Sequence, residues 1–185
     1  CKACADACKY EAIDLDAEPT EETLEAGAVI LATGWRPYDL ENLNELGGDN
    51  LQDVVSNVNM ERLAAPAGPT GGKVLRPSTE GAPKSIAFVQ CAGSRDIKHL
   101  NYCSGVCCLA SMKQAMYVKE QLPETDVTIY YIDRRAPGRN ESVLAKVNEL
   151  DGVRLVKGKV GRIEAADGAL VLKVEDTESG TLRDA

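Results

Sequence analysis

Apolar and polar positions in this chain are patterned more regularly in its second half than in its first. Residues 85–90 (Ser-Ile-Ala-Phe-Val-Gln) form a short apolar run of the length of a buried strand. Over residues 103–121, apolar or small side chains recur at Val106, Leu109, Ala110, Met116 and Val118, which predicts a helix. A second strand is expected over 126–133, where Val-Thr-Ile-Tyr-Tyr-Ile occupies the middle. A helix follows at about 141–150, then strands at 153–156 and near 170–175. Strand, helix, strand, helix, strand predicts parallel pairing through crossover helices.

That order is Rossmann-like, so the expected class is α/β. The first half is less regular. Residues 12–15 and 28–32 (Ala-Val-Ile-Leu-Ala) are strand candidates, separated by an acidic stretch at 18–25. The second candidate ends at Thr33-Gly34. Residues 35–84 are rich in Gly, Pro, Asn and Asp and read as a long connection with one short helix near 55–63. Gly68-Pro69-Thr70-Gly71-Gly72 marks a turn within it. The expected parts are therefore residues 1–16, 17–84 and 85–185.

Composition narrows the function. No apolar run in the 185 residues approaches the roughly 18 needed to cross a bilayer. No basic-then-apolar leader is visible. The formal charge of −8 argues against a nucleic-acid surface, which needs clustered Lys and Arg. The seven cysteines are an odd number, in two tight groups: Cys1/Cys4/Cys8 and Cys91/Cys103/Cys107/Cys108. Disulfide frameworks usually spread their cysteines, whereas close spacing converges sulfur on one point, as a metal requires. A reducing, cytoplasmic compartment is the corresponding expectation.

The second group stands where a dinucleotide-binding unit carries G-x-G-x-x-G, and one glycine, Gly93, is left of three. Cys103 and Cys107, four apart, are expected to share a face of the first helical turn. Cys108 diverges by about 100° and can ligate only from the rim of that face or with a distorted turn, while Cys91, at the strand's end, can approach from the opposite side. The positive end of a helix dipole stabilises anionic sulfur, and a cubane cluster takes four thiolates. Buried free thiols, a redox-active thiol pair and a tetrahedral zinc remain alternatives. Asp133 stands where an acid binds ribose in an NAD site. With the glycine fingerprint gone, it reads instead as a strand-end turn residue, and nicotinamide binding is not expected.

The string Phe88-Val89-Gln90-Cys91-Ala92-Gly93-Ser94-Arg95-Asp96, with Tyr102-Cys103-Ser104 and Cys107-Cys108, resembles the A subunit of heterodisulfide reductase. It is similar also to the related A subunit of the quinone-interacting membrane-bound oxidoreductase. Lys113-Gln114-Ala115, the basic run from Arg134 to Arg139, and Pro69-Thr70-Gly71-Gly72 fit the same families. The resemblance implies a two-dinucleotide-binding flavoprotein of the thioredoxin-reductase type, whose nucleotide-binding-like half holds a [4Fe–4S] cluster on Cys91, Cys103, Cys107 and Cys108. That half is a three-layer domain preceded by the end of a ferredoxin-like segment.

Cys1-x-x-Cys4-x-x-x-Cys8 matches the last three members of the ferredoxin run C-x-x-C-x-x-C-x-x-x-C, though Lys9 stands where proline is usual. With the fourth member missing and Cys1 in place of methionine, the chain is expected to be an internal piece of a longer protein. Ala32-Thr33-Gly34 resembles the ATG motif by which such flavoproteins approach FAD.

The resemblance thus implies electron transfer between FAD, clusters and partner subunits, with any membrane association made through those partners. The alternative is a structural zinc module without redox turnover. A nicotinamide-dependent disulfide reductase would need the glycine loop that is missing. His99, the one histidine, reads as a solvated loop residue or as a hydrogen-bond donor tuning a cluster. Arg95-Asp96 reads as an ion pair ordering the cysteine loop.

Overall fold

The structure, a computed structural model, describes residues 2–185, which fall into two units meeting between Trp35 and Arg36. The first unit has one helical turn, α1 (Ala3–Asp6), and no strand among its described residues. The strands expected at 12–15 and 28–32 do not form. A strand exists by pairing, and within this unit no segment offers an edge to residues 28–32. Val29, Ile30 and Leu31 are accordingly 79–90% exposed. The run at 12–15 ends in an Asx turn, the Asp16 N–H donating to the Asp14 carboxylate at 3.0 Å.

The second unit runs α2 (Asn57–Ala64), β1 (Ser85–Val89), α3 (Cys107–Gln121), β2 (Asp126–Tyr131), α4 (Glu141–Asn148), β3 (Val153–Lys157), β4 (Lys159–Ala166), β5 (Ala169–Asp176) and β6 (Thr181–Asp184). Strands β1, β2 and β3 form a parallel sheet in that order, with Phe88 opposite Ile129 and Ile129 opposite Leu155. This is the mixed α/β arrangement, compatible with a Rossmann-like fold, that the alternation of elements predicts. The strand expected near 170–175 is the middle of a separate antiparallel meander, β4-β5-β6.

The two faces of β2 explain its unbroken apolar sequence. Val127 and Ile129 point into a core with Met112, Ala115 and Val118 of α3, Met60 of α2 and Val147 of α4. Tyr130, on the opposite face, packs with Val160, Leu172 and Val174 of the meander. A strand covered on both sides carries apolar residues continuously rather than alternately.

Helix α3 differs from expectation in start and in face. It begins at Cys107, not at residue 103, because Gly105 adopts φ +74°, which no α-helix contains. Its buried positions are Ser111, Met112, Gln114, Ala115 and Val118. Of the five apolar or small positions in the sequence pattern, only Val118 is among them. Two of the buried side chains are polar, which hid the face. Gln114 is fully buried because its Nε2 donates to Asn57 O and to Glu61 Oε1, both at 3.0 Å, fastening α2 to α3.

The connection through residues 47–84 is pinned at Asp53. Arg76 donates to Asp53 Oδ2 through Nε (3.0 Å) and Nη2 (2.6 Å), and Ser78 adds its N–H and hydroxyl. Arg76 Nη2 also reaches Gly168 O in the turn between β4 and β5. Desolvation opposes ionisation of Asp53, whose side chain is 14% exposed, but Arg76 and Ser78 outweigh it and hold the carboxyl below its ordinary value. A depressed acid contributes stability that is present above its unfolded value and lost as pH falls through the folded one. Asp53→Asn is therefore expected to cost about 1–3 kcal/mol near neutral pH, the scale of hydrogen bonds to a charged group. It should also flatten the decline of stability below about pH 4. Urea titrations of both proteins across that range check this, and parallel acid limbs would remove Asp53 from the account.

Candidate metal centre

Three backbone hydrogen bonds gather the second cysteine group. After β1 the chain turns at Cys91 (φ +57°) and Gly93 (φ +81°). The Leu100 N–H donates to Gly93 O, Arg95 N–H to Tyr102 O and Asp96 N–H to Leu100 O, at 3.0–3.1 Å. The loop thus doubles back and delivers Cys103 to the strand end where Cys91 sits. Cys91 and Arg95 (φ +57°) both hold left-handed backbone that is uncommon outside glycine. Such strain persists where surrounding structure enforces it, and it concentrates at functional sites.

Tyr38 is the wedge beneath this loop. A Cβ on Gly93 would lie 2.9 Å from Tyr38 Cδ1, so only glycine admits the ring there. The Tyr38 hydroxyl is hydrogen-bonded to His99 Nδ1 at 2.8 Å, with the two rings edge to face. His99 is therefore a half-buried anchor rather than a solvated loop residue, and its partner is a tyrosine rather than a cysteine.

From Cys103 the chain crosses Gly105 to the N-terminus of α3. The Gly105 N–H donates to Cys103 Sγ at 3.4 Å, and the Ser104 hydroxyl lies 2.8 Å from Cys107 Sγ. Cys103 thus lies in a loop and does not share a helical face with Cys107. Cys107 and Cys108 are the first two residues of α3, where no side chain caps the free backbone N–H groups. Cys108 Sγ approaches Asp133 O, beyond the end of β2, at 3.5 Å.

All four cysteines line one cavity of about 350 Å³, open solvent included, at the carboxyl ends of the parallel strands. Ligands of open α/β sheets bind at that edge. Cys91 and Cys108 are half-buried, as is Cys107, and Cys103 is exposed. Burial pushes the Cys91 thiol up, with Cys108 and Cys103 adding to the rise, while the Arg95 guanidinium opposes it. Cys91 is thus near enough to Cys108 and Cys103 for their charge to disfavour its own thiolate. A cation placed beside Cys91 would favour its thiolate instead.

Arg95 does not pair with Asp96. Its Nη1 donates to Asp133 Oδ2 at 2.7 Å, and Arg135 approaches the same oxygen at 3.5 Å. Arg95 first, then Arg135, hold the Asp133 carboxyl below its ordinary value. Asp133 is thus an occupied ion-pair partner on the rim of the cavity. Asp96 instead accepts the Lys98 N–H at 2.9 Å and faces Lys159 at 3.7 Å. Among the described residues, no three His, Cys, Asp or Glu side chains stand close enough to share a single metal ion.

No protein-family model matches the chain. Curated A subunits of heterodisulfide reductase do match it over nearly its whole length. The A subunit of the Ferredoxin/F(420)H(2)-dependent CoB-CoM heterodisulfide reductase of Methanosarcina acetivorans is 46% identical over 180 residues, 96% of this chain and 23% of that protein. The chain is homologous to one segment of the heterodisulfide reductase A subunit. The A subunit of the H(2):CoB-CoM heterodisulfide,ferredoxin reductase of Methanothermobacter marburgensis is 39% identical over 183 residues, 97% of this chain and 28% of that protein. The iron-sulfur A subunit of the CoB-CoM heterodisulfide reductase of Methanocaldococcus jannaschii is 36% identical over 186 residues, 98% and 28% respectively. The chain spans about a quarter of the length of these A-subunit relatives.

In this chain the first cysteine group lies in the other unit. Cys1 is outside the described residues. Cys4 sits in α1, exposed, and Cys8 follows it, half-buried. The Ala12 N–H donates to Cys8 Sγ at 3.4 Å, and with the Tyr10 amide it holds that thiol below its ordinary value. Amides aimed at a sulfur favour the thiolate, the form that ligates metal. Ala32, Thr33 and Gly34 are exposed, and Gly34 has φ +78°. Sequence reasoning passed over Tyr38 and gave Ser104 and Gln90 no role beyond their place in the cysteine motif. Gln90 alone carried a signal, a polar residue closing an otherwise apolar strand.

Proposed function

We propose that this chain is the cluster-bearing part of an electron-transfer protein, with Cys91, Cys103, Cys107 and Cys108 holding a [4Fe–4S] cluster. The observation that carries the reading is the meeting of four thiols in one cavity at the N-terminus of α3. The cavity's chemistry fits the group. A cubane spreads its four thiolates over four irons and does not need three of them at one point. The N-terminus of α3, where no side chain caps the backbone N–H groups, carries Cys107 and Cys108. The positive end of a helix favours the anionic sulfur that ligates. The Methanocaldococcus relative is named as an iron-sulfur protein, which supports the same assignment.

The bound cluster would supply one-electron transfer, while the chain's own residues position it. Cys91 is held by the left-handed turn, Cys103 by the returning loop, and Cys107 and Cys108 by the start of α3. Cys4 and Cys8, with Cys1, would contribute to a second, ferredoxin-type cluster. FAD would pass against Ala32, Thr33 and Gly34 and carry the two-electron chemistry. Together these make the chain part of a two-dinucleotide-binding flavoprotein that exchanges electrons with the other subunits of a redox complex. That complex is of the heterodisulfide reductase type or its quinone-interacting counterpart. No helix among the described residues is long and apolar enough to cross a membrane, and a cytoplasmic compartment suits exposed free thiols.

Metal analysis tests the reading. Anaerobically prepared protein should contain about four iron and four sulfide for this site, be brown, and give an EPR signal on dithionite reduction. Stoichiometric zinc in a colourless protein would replace the proposal with a structural metal module.

A further inference from the structure

We infer that the side-chain amide of Gln90 donates a hydrogen bond to sulfur of the cluster held in the cysteine cavity and raises its reduction potential. The inference rests on the cluster reading. Gln90 directly follows β1, and its N–H donates to Tyr130 O at 3.0 Å, extending the β1–β2 ladder by one step. Side chains alternate along a strand, so Gln90 falls on the face of Phe88, which packs against α3. Gln90 is 7% exposed, and neither its Nε2 nor its Oε1 has a hydrogen-bond partner. It lines the cysteine cavity and also a smaller pocket shared with Cys108, Met112 and Ile129.

A buried primary amide without partners is costly, and native structures rarely leave one so. Most of the other polar side chains of the cavity are already engaged, Ser94 excepted. The Ser104 hydroxyl is with Cys107 Sγ, and Arg95 and Arg135 are with Asp133. An iron–sulfur cluster presents only acceptors, its sulfides and thiolates, and the amide NH₂ is their complement. Reduction adds one electron to the cluster with no bond made or broken. A donor aimed at the cluster therefore stabilises the reduced form more than the oxidised one.

The test is an EPR-monitored redox titration of the full-length protein and of its Gln90→Leu and Gln90→Glu variants. Both variants remove the N–H donors, and the second keeps the amide's shape. Iron and sulfide should stay at the wild-type level, while the reduced-to-oxidised ratio at a fixed potential falls about tenfold, equivalent to about 59 mV for a one-electron couple. Unchanged potentials with the cluster retained would overturn the role of Gln90 and leave the cluster reading standing. Wild-type protein without iron and sulfide would overturn both. Should the variants lose the cluster, pulsed EPR on wild-type protein carrying ¹⁵N in its glutamine amides decides. A resolved coupling from one amide supports the bond, and its absence overturns it.

Discussion

Replacing Cys107 and Cys108 together by serine is expected to lower the iron and sulfide content by about four each per chain and to abolish the corresponding EPR signal. Both residues lie at the start of α3, and both line the cavity. A serine hydroxyl is a poor substitute, because the metal ligand is a thiolate and a hydroxyl stays protonated near neutral pH. The fold should survive the exchange, since the buried core rests on Met112, Ala115 and Val118, with Cys108 only half-buried against its edge and Cys107 outside it. Circular dichroism close to wild type alongside lost iron would separate a ligand role from a structural one. Cys4→Ser serves as the control: it lies in the other unit and should leave this cluster's signal in place. Retention of full iron in the double variant would place the cluster elsewhere.

The second large effect is expected at Gly93. Gly93→Val puts a β-branched residue at φ +81° and drives its Cβ into the Tyr38 ring. The backbone strain alone is worth about 1–3 kcal/mol, and overpacking against a ring adds about 1–3 kcal/mol more. The ring has little room to yield, because its hydroxyl is tied to His99. Tyr38 must shift or the loop must open, and an opened loop no longer returns Cys103 to Cys91. The variant should lose stability in urea and bind iron poorly. Tyr38→Ala in the Gly93→Val background should relieve the overpacking but not the strain. A variant as stable as wild type would show that Tyr38 does not constrain the loop.

The elements legible in the sequence are those whose own residues decide them. The run at 126–131 is apolar because both faces of β2 are covered, and the strands at 85–89 and 153–157 keep its company in register. What failed to appear were elements that depend on partners. Residues 28–32 have the composition of a strand without an edge to pair with. The core face of α3 was misread because Ser111 and Gln114 are buried polar residues, and nothing in the local pattern shows that Asn57 and Glu61 await the glutamine.

The seven cysteines, their two groups and their separation from any disulfide-like spacing belong to the sequence itself, as does the order of strands and helices. Cysteine spacing carries chemistry directly, because sulfurs close in the chain cannot be far apart in space. Which face each sulfur presents came only from tertiary structure. Gly105 cuts the helix short of Cys103, the Arg95–Asp133 pair replaces the neighbouring pair read from the sequence, and Tyr38 turns Gly93 into a steric requirement. Each of these joins residues that lie on different elements or sets a backbone angle that the surrounding loop enforces. Local sequence preference is too weak to choose among such arrangements until the packed structure has selected one.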